Sequence, residues 1–450
     1  MNNNLTDKFI DSLYSLMQET LPEAVIKQAK ICILDYLGVT LAGARMLERK
    51  GNKFLNYFDS EQGDATLIGF NRKATIQNAV IVNGLSSHIL ELDDGQRFGM
   101  IHPGAPIISA LISLVEHEKI KGKDFLLGTI IGYEAAVRLA GTIQPSHKQC
   151  GYHATGTCGT IGVAVGIAVA LGFTKKELKD ALSAAATSAS GILEVIEDES
   201  ELKPFNVGKA ALNGLIAAFV ARAGFTGPND ILGGKRGFIS TMSKQYDLSF
   251  LDRKQGDAYG IERIYIKPYA ACRHSHPAIE ATINIRSKYS ICPDDIKNVK
   301  VYTYDLAIMG HDHTQIQGTN SAKMSIPYSV AVALEFGKAG IEEFMPRYIQ
   351  DTRITSLINK IQIYANKELT TLVPEKRSAI VEIITYDNKC YIERVDYPKG
   401  EPENPMTEEE IKEKFISLAM YGKKSMKEAH EIIEMTWNLE KDLFKIFDFL

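Results

Sequence analysis

Between residues 74 and 223 the chain carries several helix-length segments that are apolar on almost every side. Residues 107–117 and 126–140 show this most strongly. A helix without a polar face is buried in the core of a fold, because an exposed one would leave a wide apolar surface in water. The longest apolar run, residues 161–173, is too short to span a bilayer. We therefore expect a large helical domain with a multi-helix core and no membrane partner.

The regions beside this core continue the helical pattern. Apolar residues recur at helical spacing from residue 8 to residue 45, which predicts helical structure there. Thr174 followed by Glu177 is a capping box and predicts a helix that runs through Ala189. Residues 209–223 are rich in alanine with one polar face and predict a further helix, which ends at a stretch rich in glycine and proline.

The pattern changes near residue 265, where short segments alternate between apolar and polar residues. Such alternation predicts strands with one buried face. The predicted strands are residues 299–304 and 360–364, followed by a hairpin formed by residues 379–386 and 390–395. Helices are predicted between them, at residues 277–288 and 327–336. This arrangement is typical of an α+β unit with a mainly antiparallel sheet.

A connector rich in proline and glycine, residues 398–405, leads back to two helical segments at residues 407–418 and 425–439. We predict a mainly α fold with an α+β unit. If the C-terminal helices close back on the N-terminal helical domain, the α+β unit is an insertion. The predicted boundaries are 1–266 for the first part of the helical domain, 267–400 for the α+β unit and 401–450 for the C-terminal helices.

Charge and cysteine content restrict the functional class. The net charge of −4 gives no basic surface of the kind that binds nucleic acid. The six cysteines contain no Cys-x-x-Cys pair, so the spacing used by zinc ribbons and iron–sulfur clusters is missing. The polar N-terminal residues lack the apolar segment of a signal peptide. We expect a cytoplasmic protein with reduced cysteines and no metal.

Residues 84–106 place Glu91, Asp93, Asp94 and His102 between two apolar runs. Charged groups near a core are unfavourable unless they are paired or used. Carboxylates beside a histidine suit general acid–base chemistry, because they shift its pKa. Two interpretations stay open at this point: an exposed acidic loop between two helices, or one wall of an active site.

Two further segments of the helical region carry polar groups that suit catalysis. His153 lies in a glycine-rich stretch just before a helix of small residues, and helix N-termini attract anions. Lys203 directly precedes a proline and is predicted to lie outside the following helix, where it can hold a substrate carboxylate or transfer a proton. The alternatives are a structural histidine in a turn and a solvated surface lysine.

The α+β region adds a second set of candidates. Arg273 has the fork geometry that grips a carboxylate, and His274 and His276 follow it closely. A zinc site at these histidines would need another protein ligand, and the sequence marks none. His311 with His313 predicts an exposed loop rather than a metal site. Lys323 and Tyr328 flank a helix start and suggest anion binding only in combination with the other groups.

Taken together, these segments resemble the MmgE/PrpD family. The resemblance covers nearly the whole chain, with the motifs in the family's order. The matching stretches are residues 35–38, 83–104, 132–134, 151–153, 203–204 with 208–210, 267–276, 322–328 and 398–405.

The resemblance implies a homodimeric enzyme that acts on a small polycarboxylate without an iron–sulfur cluster or other cofactor. It also implies a large all-helical domain completed by the C-terminal helices, a smaller α+β lid domain, and active-site positions contributed by both. The predicted catalytic residues are His102, His153, Lys203, His276, Tyr328 and Asp93. The predicted substrate-binding residues are Glu91, Asp94, Arg273, His274 and Lys267. The family commonly has aspartate where this chain has Glu91, so the acid that contacts substrate stays open.

The predicted roles follow from the chemistry of these side chains. His102 or His153 abstracts a proton, Lys203 and Arg273 hold carboxylates, Tyr328 donates or orients, and His276 acts as the acid. The leading interpretation is a lyase of the 2-methylcitrate dehydratase type. Epimerisation of an iminodisuccinate-type dicarboxylate is the second, and decarboxylation of cis-aconitate the third. A carboxylate-binding protein that retains the fold is the non-enzymatic alternative.

Overall fold

The computed structural model describes residues 4–49, 52–58, 63–197, 200–254 and 256–450. The chain divides into two compact units. The larger unit comprises Met1–Val195, Leu202–Tyr265 and Thr407–Leu450, and the smaller one comprises Ile196–Glu201 and Ile266–Met406.

The larger unit is built almost entirely from helices, with one short antiparallel hairpin. Its helices before the smaller unit are α1 (Leu5–Leu16), α2 (Glu23–Glu48), α3 (Asn52–Phe58), α4 (Ile76–His88), α5 (Gly104–Glu118), α6 (Gly122–Ile143), α7 (Ser146–Gln149), α8 (Ala154–Ala170), α9 (Lys175–Ser188), α10 (Lys203–Arg222) and α11 (Phe238–Met242). The hairpin pairs β1 (Ala65–Leu67) with β2 (Arg72–Ala74).

Local signals explain where several of these helices begin and end. The capping box at Thr174 and Glu177 is present and opens α9 as predicted. The helical structure predicted for residues 8–45 is present as two helices, α1 and α2, with a break between them. Pro22 is the N-cap of α2, and a proline disfavours helical backbone in the residue before it. Apolar residues recur at helical spacing on both sides of this break, so the periodicity did not reveal it.

The start of α10 also differs from the prediction. The helix begins at Lys203 and not near residue 209, so Lys203 lies within its first turn. Pro204 is compatible with this position, because the first backbone N–H groups of a helix have no partner inside it. Lys203 is therefore held by the helix and does not lie in a preceding loop.

Small residues bring the core helices into backbone contact. A Cβ atom at Gly132 of α6 would lie 2.8 Å from the carbonyl oxygen of Gly162 in α8. A Cβ at Gly84 of α4 would lie 2.7 Å from the Cα of Gly208 in α10. The second crossing matters for the site, because α4 leads into the acidic stretch and α10 carries Lys203.

By length and composition alone, α6 and α10 would be long and apolar enough to cross a membrane. Within the fold, 94% of the apolar window of α6 and 61% of that of α10 are buried. The apolar window of α6 is therefore almost wholly buried in the fold, and that of α10 is mostly buried.

The smaller unit holds a four-stranded sheet with helices beside it. Its helices are α12 (His276–Tyr289), α13 (Asp305–Ile308), α14 (Thr319–Met324), α15 (Ile326–Phe336), α16 (Pro346–Ile349), α17 (Thr352–Ile358) and α18 (Lys367–Thr371). Its strands are β3 (Ile296–Thr303), β4 (Ile361–Ala365), β5 (Ala379–Thr385) and β6 (Cys390–Val395).

The sheet order is β4-β3-β5-β6. β3 pairs antiparallel with β5 and β5 with β6, while β3 and β4 are parallel. The mainly antiparallel sheet and the predicted hairpin are therefore present. Residues of β5 alternate strictly between buried and half-buried positions, as expected for a strand with one face against α12.

After the smaller unit, α19 (Glu408–Tyr421) and α20 (Met426–Trp437) return to the larger one. Each opens with a capping box, Thr407 with Glu410 and Ser425 with Glu428. α19 packs on α2, where Gly38 faces Phe415. The predicted fold class, a mainly α protein with an inserted α+β part, is confirmed.

Candidate active site

The acidic stretch follows the C-terminal end of α4 and is buried. Only 6% of Glu91, 2% of Asp93 and 3% of Asp94 is exposed. Interpretation of this stretch as an exposed acidic loop is therefore wrong. Glu91 has a φ angle of 55°, in the left-handed region that is unfavourable for a residue with a Cβ. Strained backbone of this kind is concentrated at functional sites. It therefore supports the interpretation of this stretch as one wall of an active site.

His88, the last residue of α4, connects the acids. Its Nδ1 donates to Oδ2 of Asp93 at 2.7 Å, and its Nε2 lies 3.5 Å from Oε1 of Glu91. Glu91 in turn forms an ion pair with Lys203. The glycine contact between α4 and α10 brings these partners together across 112 residues of sequence. The result is a connected row of charged and polar groups with little access to water.

The hydrogen bonds of His102 determine its tautomer. Nδ1 lies 2.6 Å from the backbone carbonyl oxygen of Asp94, and a carbonyl only accepts. Nδ1 therefore carries the proton, and in the neutral ring the lone pair is on Nε2. The backbone N–H of His102 donates to Oγ1 of Thr155 at 3.1 Å, which fixes the residue on the N-terminal turn of α8. The side chain is 13% exposed, more than those of the acids around it.

His153 has the opposite tautomer. The side-chain amide nitrogen of Asn206 lies 3.4 Å from Nδ1 of His153 and 3.4 Å from the carbonyl oxygen of Ile192. The amide N–H groups can only donate, so Nδ1 of His153 accepts and the proton lies on Nε2. Burial holds the pKa of His153 well below its usual value, and the positive charge of Lys203 lowers it further. At neutral pH His153 is a neutral hydrogen-bond donor.

The structure thus brings together five of the predicted residues, namely Glu91, Asp93, His102, His153 and Lys203. The ring centroids of His88 and His102 are 5.0 Å apart, and those of His88 and His153 are 6.3 Å apart. A base, a neutral donor and an ammonium group therefore lie within one small region of the larger unit.

Asp94 lies behind this row as a supporting residue. Its Oδ1 accepts the backbone N–H of Gly104 at 3.1 Å, and its Oδ2 is 2.6 Å from the hydroxyl of Tyr133. A Cβ at Gly104 would lie 2.7 Å from Oδ2, so only glycine fits against this carboxyl group. Burial raises the pKa of Asp94 to about 8. With both oxygens occupied by protein groups, Asp94 is better suited to fixing the start of α5 than to binding substrate.

This raised pKa predicts a pH-dependent stability. The folded state binds more protons than the unfolded state between the ordinary pKa of an aspartate and about pH 8, so stability falls as pH rises through that window. Above about pH 8 the loss is complete. Relative to Asp94→Asn, which cannot titrate, the wild type should lose about 1.4 kcal/mol of unfolding free energy per pH unit between pH 5 and pH 7.

Urea unfolding of both proteins at several pH values measures this slope. The exposed Asp124→Asn is the matched control and should keep the wild-type pH dependence. Parallel pH curves for the wild type and Asp94→Asn would show that Asp94 is ionised in the folded protein.

The remaining predicted residues lie in the smaller unit and already have protein partners. Nε of Arg273 donates to Oε1 of Glu401 at 2.7 Å, so this guanidinium holds a protein carboxylate. Nδ1 of His274 lies 2.6 Å from the hydroxyl of Tyr304, and Nε2 of His276 lies 3.1 Å from the carbonyl oxygen of Ala271.

Lys267 and Tyr328 are also buried. Lys267 is only 1% exposed. The hydroxyl of Tyr328 donates its single proton to the carbonyl oxygen of Glu343 at 2.8 Å, and burial raises the pKa of Tyr328. Proton donation from Tyr328 to a substrate would have to break this bond first. The roles predicted for these residues stay predictions.

Several residues of the site escaped the sequence reasoning. His88 carried a signal, since it lies one helical turn before Glu91 and five residues before Asp93. Tyr133 lies in the matching stretch 132–134 but was given no role, and Asn206 was not singled out. Lys414 of α19 donates to the backbone carbonyl of Leu92 at 2.9 Å and pairs with Asp35. The C-terminal helices thus help to fix the acidic stretch.

Two groups of possible metal ligands occur among the described residues, with ligand atoms within 4.8 Å of one another in each. One is His88, Asp93 and His102, part of the row above. The other is Cys272, His274 and His311 in the smaller unit. The exposed loop predicted at His311 is wrong, because this side chain is only 4% exposed and its Nδ1 bonds to the backbone of Met324.

Comparisons with known proteins agree with this architecture. Residues 8–251 match the MmgE/PrpD N-terminal domain, and residues 269–440 match the MmgE/PrpD C-terminal domain. A cis-aconitate decarboxylase-like protein of Aspergillus oryzae is 25% identical over 442 residues, which is 92% of this chain and 90% of that protein.

Two further relatives have different activities. Cis-aconitate decarboxylase of Mus musculus is 22% identical over 438 residues, covering 93% of this chain and 87% of the relative. 2-Methylcitrate dehydratase of Escherichia coli K12 is 26% identical over 231 residues, covering 49% of this chain and 47% of the relative.

Proposed function

Because the chain belongs to the MmgE/PrpD family, we propose that it is a lyase that acts on a small di- or tricarboxylate by proton transfer at a carbon next to a carboxylate. The observation that carries this proposal is the row formed by His102, His153, Lys203 and Glu91. Removing a proton beside a carboxylate, or losing CO₂ from it, builds negative charge on carbon and oxygen. A base, a donor and a cation are the groups that such a step requires.

The tautomers make one histidine a base and the other a hydrogen-bond donor. Nε2 of His102 has the lone pair and is the base that abstracts the proton. Nε2 of His153 carries a proton and donates to a substrate oxygen on which charge develops. Lys203 binds a substrate carboxylate or stabilises the negative charge that develops on the substrate oxygen. Its ion pair with Glu91 is weakened when it does so.

Dehydration uses the base His102, the donor His153 and the cation Lys203. His102 takes a proton from the carbon next to a carboxylate, the electron pair forms the carbon–carbon double bond, and hydroxide leaves as water after gaining a proton. The ammonium group of Lys203 is the acid that supplies this proton, while the neutral imidazole of His153 donates a hydrogen bond to the departing oxygen. This pairing of a base with a donor supports a dehydratase of the 2-methylcitrate type.

Decarboxylation of cis-aconitate is the second candidate. Loss of CO₂ leaves a carbanion that must gain a proton, so this reaction requires an acid but no base. The observation in its favour is that decarboxylase relatives align over more than nine-tenths of the chain, whereas the dehydratase relative aligns over about half. Epimerisation of an iminodisuccinate-type dicarboxylate, with one group removing and another returning a proton, is a third activity of the same class.

A substrate panel tests the proposal. Purified protein is incubated with 2-methylcitrate, citrate, cis-aconitate and iminodisuccinate in deuterated buffer and followed by NMR. We expect conversion of one of them: unsaturated product signals identify dehydration, CO₂ release identifies decarboxylation, and deuterium incorporation without net product identifies epimerisation. The same preparation of His102→Asn controls for contaminating enzymes. Tight binding of a panel compound without turnover or deuterium exchange would instead favour a carboxylate-binding protein.

A further inference from the structure

We propose that Cys272, His274 and His311 bind a Zn²⁺ ion in the smaller unit. A thiolate with two imidazoles is a donor set that zinc prefers. Cys272 and His274 flank the start of a short 3₁₀ helix, Arg273–Ser275. His311 comes from the segment between α13 and α14. The sequence lacked a third ligand near His274, and the fold supplies it from 39 residues away.

The distances suit a tetrahedral ion. Sγ of Cys272 lies 3.8 Å from Nε2 of His311. With a Zn–S bond of about 2.3 Å, a Zn–N bond of about 2.05 Å and a tetrahedral angle, these atoms are separated by about 3.6 Å. The rings of His274 and His311 have centroids 5.2 Å apart at an angle of 33°. The three ligand atoms all lie within 4.8 Å of one another, so a single ion between them is within reach of each.

Outer hydrogen bonds orient both histidines. Nδ1 of His311 donates to the backbone carbonyl of Met324 at 2.8 Å, so in the neutral ring the lone pair lies on Nε2, which faces the sulfur. Nδ1 of His274 lies 2.6 Å from the hydroxyl of Tyr304, which leaves Nε2 as its ligand atom. Metal-binding histidines commonly have this second hydrogen bond, because it fixes the tautomer and the ring orientation.

Backbone hydrogen bonds hold two of the three ligands, Cys272 and His311, in place. The N–H of Cys272 donates to the carbonyl of Lys323 at 2.9 Å, and the carbonyl of His311 accepts from Ile326 at 2.8 Å. His274 and His311 are 6% and 4% exposed, while Cys272 is half-buried. The cluster is therefore ordered by the fold, and Cys272 is its most exposed member. Three protein ligands leave one coordination position for water.

Neighbouring charges moderate the affinity. Glu401 neutralises Arg273, but the guanidinium of Arg377 also acts on Tyr304. A positive group there opposes the binding of a cation. We expect binding weaker than in a closed four-ligand zinc site. Binding releases the thiol proton, so affinity should rise with pH.

Metal titration of the full-length protein tests this proposal. After EDTA treatment and dialysis, Zn²⁺ is titrated and the bound metal is measured by mass spectrometry. We expect one equivalent per chain and a rise in Tm. Co²⁺ in place of Zn²⁺ should give a thiolate-to-cobalt charge-transfer band in the near ultraviolet. A cobalt ion at His88, Asp93 and His102 would lack that band, since this group has no sulfur.

Matched variants locate the ion. Cys272→Ser and His311→Gln should bind Zn²⁺ at least tenfold more weakly and lose the cobalt–thiolate band. The exposed Cys390→Ser and the neighbouring His313→Gln should bind as the wild type does. Circular dichroism of the metal-free proteins checks that each variant is folded. A folded wild type without the cobalt–thiolate band would overturn the proposal, and so would equal affinities across the variants. In that case the three side chains form a hydrogen-bonded group without metal.

Discussion

Replacement of His102 by asparagine should lower kcat/KM by about 10²–10⁴-fold, the range that general acid–base catalysis contributes. Asparagine is the informative substitution, because its side-chain N–H can still donate to the carbonyl of Asp94, as Nδ1 of His102 does at 2.6 Å. The substitution removes the basic Nε2 and keeps the bond that positions the residue. The measurement is steady-state kinetics on whichever panel compound is converted.

The pH profile separates catalysis from structural damage. A base must be unprotonated to act, so kcat/KM of the wild type should rise with pH along an acidic limb. His102→Asn should lose that limb as well as the rate. The exposed His117→Asn, also in the larger unit, is the matched control and should retain both. An acidic limb that persists in His102→Asn would assign the base to another residue.

The sequence predicted the local features of the fold, which depend on residues close together in the chain. The capping box at Thr174, the alternation in β5 and the hairpin near Asn388 are local, and the structure contains all three. The break at Pro22 was not predicted, and the start of α10 was predicted near residue 209 instead of at Lys203. The apolar periodicity of α1 and α2 does not show that a new helix starts after Pro22. The first turns of α10 depend on the packing of this helix against α4, which local sequence does not reveal.

The site was predictable as a set of residue types but not as an arrangement. Lys203 and Glu91 are 112 residues apart, and Lys414 and Asp35 are 379 apart, so only the folded helices pair them. The roles of His102 and His153 depend on which ring nitrogen accepts a hydrogen bond, and no sequence pattern specifies that. His311 looked like part of an exposed loop because its partner Cys272 belongs to another segment.

Replacement of Lys203 by methionine should have two separable effects. If Lys203 stabilises charge on the substrate, kcat/KM should fall by about 10²–10³-fold, as on removal of one group that stabilises transition-state charge. The protein should also lose about 3–5 kcal/mol of stability, because Glu91 is left as a buried charge without its partner. The side chains of Lys203 and Glu91 are 15% and 8% exposed, so water compensates little.

A double-mutant cycle with Glu91→Gln distinguishes the two roles of Lys203. Glutamine removes the charge that Lys203 balances, so Lys203→Met combined with Glu91→Gln should recover much of the lost stability. It should not recover turnover, because the substrate still lacks its cation. Lys209→Met, on the same helix, controls for loss of a lysine from α10 and should leave kcat/KM unchanged. Recovery of activity in the double variant would mean that Lys203 serves only to neutralise Glu91, and the substrate carboxylate would then require a different cation.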